Sequence, residues 1–282
     1  TYPCHQSIIT GTNPATHGIY NNGIFDPLGE HMGAWHWFAS RKVENLWEAA
    51  GKHGYLSASV AFPTSVAAGG DFIAPEFWWD GTELDSRFID AMSVPQGMIL
   101  EMEKDIGRYA GGLDLTEAGD RQRYRAAMWV LDHKIAPRTK ERPFFMSAYF
   151  ASFDEMAHQY GVYSKEAAHA IEAIDRMLGD LVERVHSMTD DRAVVCVVSD
   201  HGTLDNRYNI RPNVKLREAG LITTDGNGRV TDWRAWSQRA GGMSEIRLKN
   251  GQDEDAGKRL AQVMKELSSD PAFGILEVLD RE

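Results

Sequence analysis

The chain has 282 residues, of which 43% are hydrophobic, 10% aromatic and 25% charged; this excludes a disordered, fibrous or collagen-like chain and leaves room for a sizeable core. With 41 acidic against 30 basic residues the net charge is −11, which argues against a nucleic-acid-binding surface built on bulk positive charge. Two cysteines, Cys4 and Cys196, exclude a disulfide scaffold and a cysteine zinc cluster, and no apolar run of about 18 residues is available to span a bilayer.

In chain order, the first segment places Thr1 immediately before a helix start. A hydroxyl there faces the positive end of the helix dipole, where a phosphate is also drawn, and metal coordination could ionise it into a nucleophile; an ordinary Ser/Thr cap has the same sequence signature. A helix is predicted over Val43 to Ala50 and a strand over Leu56 to Phe62, after a Gly-Tyr break. From about Pro75 to Pro137 the chain carries Trp78, Trp79, Trp129, a Gly-Gly pair and a helix from Asp120 to Ile135, with no strong strand. That stretch reads as an insertion or cap over a sheet.

A second strand is predicted from Phe144 to Phe150, then a helix capped by Ser164 and running to about Ser187, with Ile171, Ile174, Leu178, Leu181, Val182 and Val185 at i, i+3, i+4 spacing. The apolar run Ala193 to Val198 has the character of a central strand covered on both faces. These three form an expected β-α-β unit. A short helix from Val214 to Gly220 and another from Asp255 to Leu267, with Leu260, Val263, Met264 and Leu267 on one face, complete the series. The alternation predicts one layered α/β domain over residues 1–282 with a largely parallel sheet flanked by helices.

Two short clusters follow the last two predicted strands, at the ends where open α/β sheets carry their sites. Asp154 and His158 lie four residues apart, close enough to chelate one ion from a loop or helical turn, and Asp200 and His201 are adjacent before Gly202. Either pair alone is compatible with an ordinary loop cap beside an exposed histidine. Two pairs on consecutive strands point instead to two divalent ions, with the roughly 3.5–4 Å separation of two-metal hydrolases.

Thr1-Tyr2-Pro3, the run Ile8-Ile9-Thr10-Gly11-Thr12-Asn13-Pro14 and His17-Gly18-Ile19-Tyr20-Asn21-Asn22 together resemble the nucleophile segment of the nucleotide pyrophosphatase/phosphodiesterase family, within the alkaline phosphatase superfamily. Asp154 and His158 with Tyr160-Gly161, then Ser199-Asp200-His201-Gly202, match its two metal motifs in order, and Leu46 to Ala50 and Arg217 to Leu221 fit the surrounding pattern. The resemblance implies an alkaline-phosphatase-like fold and two zinc ions, one held by Asp154 and His158, the other by Asp200 and His201 and activating Thr1. Thr1 would form a phospho-threonine intermediate, Asn22 would bind a non-bridging phosphoryl oxygen, and Tyr2 and Tyr149 would stack on a nucleotide base. It also implies export to the periplasm or the extracellular space.

Departures from the family pattern matter too. Phe153 and Ala157 stand where the family often has Pro and Gly, a change of loop conformation with the spacing kept. The family's upstream metal Asp and late metal His have no counterpart between Thr1 and Glu282, so the chain is expected to be an internal portion of a longer enzyme, to bind metal weakly and to be nearly inactive by itself. His5 and His17 are expected to order loops, and the remaining histidines to lie on surfaces or helix faces.

The expected function is hydrolysis of phosphodiester or pyrophosphate bonds in a small-molecule substrate. Diesters are favoured over monoesters because no Arg lies in the nucleophile segment to clamp a dianion. Phosphonoacetate hydrolysis on the same site and a non-catalytic binding scaffold are the alternatives.

Overall fold

Leu56–Val60 is a strand with no polar periodicity, and all five of its residues are buried. Such a run needs parallel neighbours on both edges and cover on both faces. In the computed structural model, which describes residues 1–79, 84–112, 114–206 and 208–280, β1 (Leu56–Val60) has these neighbours. It lies between β2 (Phe72–Ala74) and β3 (Phe144–Ala148), both parallel to it, with Ala58 opposite Phe72 and Leu56 opposite Phe144.

The chain separates into two compact units, one of residues 1–22 and 34–205, the other of residues 23–33 and from 206 onward. The expectation of one domain does not distinguish them.

In the first unit, one face of the sheet carries α1 (Tyr2–Thr10), followed by the single turn α2 (Pro14–His17), and α3 (Leu46–Lys52). Ile9, Trp47, Phe62 and Ile73 pack together there, and Trp47 Nε1 donates to Ser147 Oγ at 3.2 Å, which reaches Ser59 Oγ at 3.1 Å. The small serines of β1 and β3 thus make room for the indole and satisfy its N–H. α3 begins later than the sequence suggests because Asn45 and Glu48 form a reciprocal capping box that fixes its first turn.

The other face is covered by α5 (Met98–Ile106), reached through the short α4 (Ser86–Asp90), and by α6 (Glu117–Val130), which continues as a wider-wound turn to Ile135. Met98, Ile99, Met102, Ala126, Ala127 and Val130 bury against Ala58 and Val60. The stretch read as a cap is therefore one of the layers that close the core, although residues 80–83 and 113 within it lie outside the described residues. α7 (Ser152–Tyr160) and α8 (Lys165–Thr189) follow β3, with Ser164 capping α8 as expected. Ala167, Ala170, Ala173, Met177 and Leu181 form the buried stripe of α8, whereas Ile171 is exposed, because the close approach favours the small side chains.

The predicted strand Ala193 to Val198 does not form. Val194, Val197 and Val198 are 89%, 72% and 64% exposed, and the segment joins no ladder among the described residues. It pairs with neither β2 nor β3, the two edge strands of the sheet, so its apolar side chains stay uncovered.

The second unit has its own core of Leu216, Leu221, Ile222, Ala235, Val263, Met264 and Leu267. α9 (Pro212–Glu218) and α10 (Glu254–Ser269) pack with two antiparallel hairpins, β4 (Ile222–Thr224) with β5 (Val230–Trp233) and β6 (Ala235–Ala240) with β7 (Met243–Leu248). None of these four strands is apparent in the sequence, since their burial is partial and their polar content high.

Candidate active site

α1 presents Tyr2, His5, Gln6 and Ile9 to the interior, an i, i+3, i+4, i+7 face, and so brings its own N-terminus to the sheet's edge loops. Thr1 occupies the N-cap position yet its side chain caps nothing; Oγ1 lies 3.4 Å from His201 Nε2 instead. A threonine that forgoes its cap at a positive helix end is placed to meet an anion. Asn22 Oδ1 accepts the Tyr2 backbone N–H at 2.9 Å, which locks Asn22 onto that helix end and leaves its amide nitrogen as the donor group beside Thr1.

The two Asp-His pairs converge. Asp154 and His158 lie on α7, with 3.5 Å between Asp154 Oδ2 and His158 Nε2. Asp200 and His201 come from the extended, unpaired segment after Val198, not from a strand end. Even so, His201 Nε2 lies 3.3 Å from Asp200 Oδ2 and 3.9 Å from Asp154 Oδ1. His201 Nδ1 donates to the Gly202 carbonyl at 3.0 Å, which fixes the tautomer and leaves Nε2 as the lone-pair nitrogen facing the cluster.

Asp154 Oδ1 and Asp200 Oδ2 are buried and accept no hydrogen bond. Orphaned carboxylate oxygens are costly unless a cation or donor is meant to meet them. Two ligands about 2 Å from one tetrahedral ion stand roughly 3.3 Å apart, so the Asp200–His201 spacing and the oxygen and imidazole donor set fit a divalent ion such as zinc. Among the described residues the ligands stay as pairs: no group of three or more His, Cys, Asp or Glu side chains is arranged around one point.

His5, expected only to order a loop of the nucleophile segment, and Glu76, which the sequence did not single out, are part of this neighbourhood. His5 is 3% exposed, donates from Nδ1 to the Thr1 carbonyl at 2.9 Å and lies 3.4 Å from Asp200 Oδ2. Burial, opposed in part by the Asp200 charge, lowers its pKa to about 4, so it is neutral at pH 7. Its i+4 spacing from Thr1 was the available signal. His17 is buried too, its Nδ1 accepting the Ile19 N–H at 3.1 Å and its Nε2 paired with Ser7 Oγ at 3.0 Å, which orders the turn after α1.

Tyr2 requires a correction. It is 2% exposed, donates its hydroxyl to Glu76 Oε2 at 2.7 Å and meets Trp35 edge to face, so its ring has no surface to offer a base. An aromatic ring at the first position of a helix packs inward when that position lies on the buried face. Tyr149 is half-buried and meets His5 edge to face at 5.0 Å, which sets it beside Asp200 and Asp154.

The family described as type I phosphodiesterase / nucleotide pyrophosphatase matches residues 1–279. Human ectonucleotide pyrophosphatase/phosphodiesterase family member 1 is 26% identical over 211 residues, covering 72% of this chain and 18% of that protein. The human bis(5′-adenosyl)-triphosphatase ENPP4 is 24% identical over 204 residues, covering 72% of this chain and 38% of that protein. Murine ectonucleotide pyrophosphatase/phosphodiesterase 5 superposes with a TM-score of 0.52 at 17% identity, over 93% of this chain and 58% of that one. An inactive variant of the same murine protein, solved in complex with AMP, gives a TM-score of 0.51 at 17% identity, again over 93% of this chain and 58% of that one. The fold is thus the alkaline-phosphatase-like α/β architecture, and the chain spans well under two thirds of the length of these relatives.

Proposed function

Because this chain belongs to the type I phosphodiesterase / nucleotide pyrophosphatase family, we propose that it carries the reacting threonine of a hydrolase for phosphodiester or pyrophosphate bonds in nucleotides. The observation that carries the reading is the uncapped Thr1 hydroxyl at the N-terminus of α1, 3.4 Å from His201 and beside the orphaned oxygens of Asp154 and Asp200. Asp154 with His158 would hold one zinc ion and Asp200 with His201 a second, supplying positive charge for the phosphoryl group and acidifying the Thr1 hydroxyl.

Thr1 Oγ1 forms a bond to phosphorus as the bond to the leaving oxygen breaks, the hydroxyl proton ending on the leaving group, and gives a phospho-threonine that keeps the other ester group. Water then adds hydroxide to phosphorus as the phosphorus–Oγ1 bond breaks, and its proton returns to Thr1 Oγ1. Asn22, held by the Tyr2 N–H, directs its amide nitrogen toward a non-bridging oxygen, and the open end of α1 adds its partial positive charge. Neutral His5 holds the Thr1 carbonyl through Nδ1 and packs beside Asp200, so the nucleophile is aimed before substrate arrives. Tyr149 is the aromatic left to face a base.

The AMP complex of the murine relative supports a nucleotide ligand, and the ectoenzyme names among the relatives support export. Among the described residues no helix is long and apolar enough to cross a membrane. The test is a panel of nucleotide diesters, dinucleoside polyphosphates, monoesters and phosphonoacetate, with zinc added and with chelator. Turnover of diesters or pyrophosphates that needs metal supports the reading. Preference for phosphonoacetate moves the chemistry to a C–P bond, and metal binding without turnover of any class leaves a binding scaffold.

A further inference from the structure

The helix that carries Asp154 and His158 lacks a cap of its own. Its N-cap residue is Ala151, which has no side-chain acceptor, and the first N–H groups of a helix need one. The missing acceptor comes from another part of the chain. Asp120, in the first turn of α6 and 0% exposed, accepts the Ala151 N–H on Oδ1 at 2.9 Å and the Ser152 N–H on Oδ2 at 2.8 Å.

Asp120 is in turn fixed from behind. Arg123, 1% exposed, donates Nη1 to Asp120 Oδ1 at 2.9 Å and Nη2 to the Asp114 carbonyl at 2.7 Å. The loop from Asp114 comes so close to α6 that a Cβ on Gly119 would stand 2.0 Å from the Asp114 carbonyl oxygen, so only glycine fits. Breaking one partner of a charged pair this deep is strongly destabilising, and Asp120 spends two accepted bonds on the start of α7 while Arg123 Nη2 braces the Asp114 loop, with Arg123 Nε buried and unpartnered.

We propose that Asp120 is a positioning residue of the active site: from α6 it caps α7 and fixes the first-turn carboxylate of Asp154. The inference rests on the reading of Asp154 as a metal ligand only for its functional consequence. The capping itself is independent of metal. A carboxylate acting across 31 residues of sequence sets the ligand helix as a unit, as outer partners of metal ligands do, and loss of such partners weakens metal affinity by about 10–100-fold.

The test compares Asp120→Asn with Val130→Ala. Val130 is buried in the core about 15 Å further along the same helix, so its truncation lowers stability without touching α7. Two quantities are read in the folded proteins: amide hydrogen exchange at Ala151, Ser152 and Asp154, and zinc affinity by competition with a chelator. Asp120→Asn is expected to speed exchange at those amides at least about tenfold relative to Val130→Ala and to weaken zinc about 10–100-fold, while Val130→Ala leaves zinc within about twofold. Unchanged exchange in Asp120→Asn overturns the capping role. Faster exchange with unchanged zinc affinity, or an equal zinc loss in Val130→Ala, overturns the positioning role. Wild-type protein that binds no zinc instead refutes the metal reading, and the exchange data then decide the capping claim alone. If Asp120→Asn does not fold, Arg123→Lys, which keeps the buried charge but withdraws the fork to Asp114, must shift both quantities in the same direction or the proposal falls.

Discussion

Replacing Glu76 by Gln should stabilise the protein above neutral pH and leave it nearly unchanged in acid. The Glu76 carboxyl is buried beneath the aromatic layer of Tyr2, Trp35 and Trp78, and burial raises its pKa from 4.5 to about 7 against the opposing effect of the Tyr2 hydroxyl. Below pH 4.5 the carboxyl is protonated in both the folded and unfolded chains, and its contribution to stability is complete. Between 4.5 and about 7 the unfolded chain releases the proton while the folded one holds it, so stability declines as pH rises; above about 7 the loss is complete. At about 1.4 kcal/mol per pH unit the interval comes to about 3 kcal/mol. Gln keeps an acceptor for Tyr2 Oη and has no proton to lose. Urea unfolding followed by near-ultraviolet circular dichroism, which reads the tryptophan layer, gives the difference between the two proteins at each pH and cancels every other titrating group. That difference should grow by about 3 kcal/mol from pH 4.5 to 7 and then stay level. Parallel profiles for the two proteins, or a difference that grows toward acid, would refute the reasoning.

Three further outcomes are expected. Asn45→Ala removes the capping box of α3, in which Asn45 Oδ1 accepts the Glu48 N–H at 2.9 Å, and should cost about 1 kcal/mol in a thermal or denaturant melt; no measurable loss would mean that α3 is held by Trp47 alone. Gly119→Ala has a diagnostic sign: helix propensity alone would stabilise by up to about 1 kcal/mol, whereas the contact with the Asp114 carbonyl should destabilise by about 1–3 kcal/mol. Thr1→Ala should abolish turnover of any diester the protein hydrolyses while leaving its zinc content intact, and near-normal turnover would assign attack to water.

Much of the candidate site could be read in advance because its chemistry is encoded in short spacings. Thr1 before a helix, Asp154 four residues from His158, and Asp200 beside His201 are local patterns, and the fold brings the two pairs within 3.9 Å of each other. The parallel core was legible for a similar reason, since β1 and β3 are short runs of dense apolar and small residues. What was not legible depends on partners distant in sequence. The valines from Val194 to Val198 show a need for burial, but a run of apolar residues cannot say whether a neighbouring strand is present to pair with it. Tyr2 illustrates the same limit: its position next to Thr1 suggested a substrate contact, and the helix phase that buries it against Glu76 is set by residues 74 positions away. Asp120 was assigned only to a helix start, for its two N–H partners lie on α7. The antiparallel hairpins of the second unit escaped notice because strands such as Val230–Trp233 are only partly buried and carry no clean alternation.

The most direct test of the central claim is a search for the covalent intermediate. Zinc-loaded protein mixed with a nucleotide aryl diester, quenched in acid within the first turnover and digested, should yield the peptide bearing Thr1 with the mass of one added nucleoside monophosphoryl group, fragmentation placing the addition on Oγ1. The same addition should be absent from Thr1→Ala and from protein treated with chelator. Steady turnover with an unmodified Thr1 peptide, or an adduct on another residue, would contradict the account.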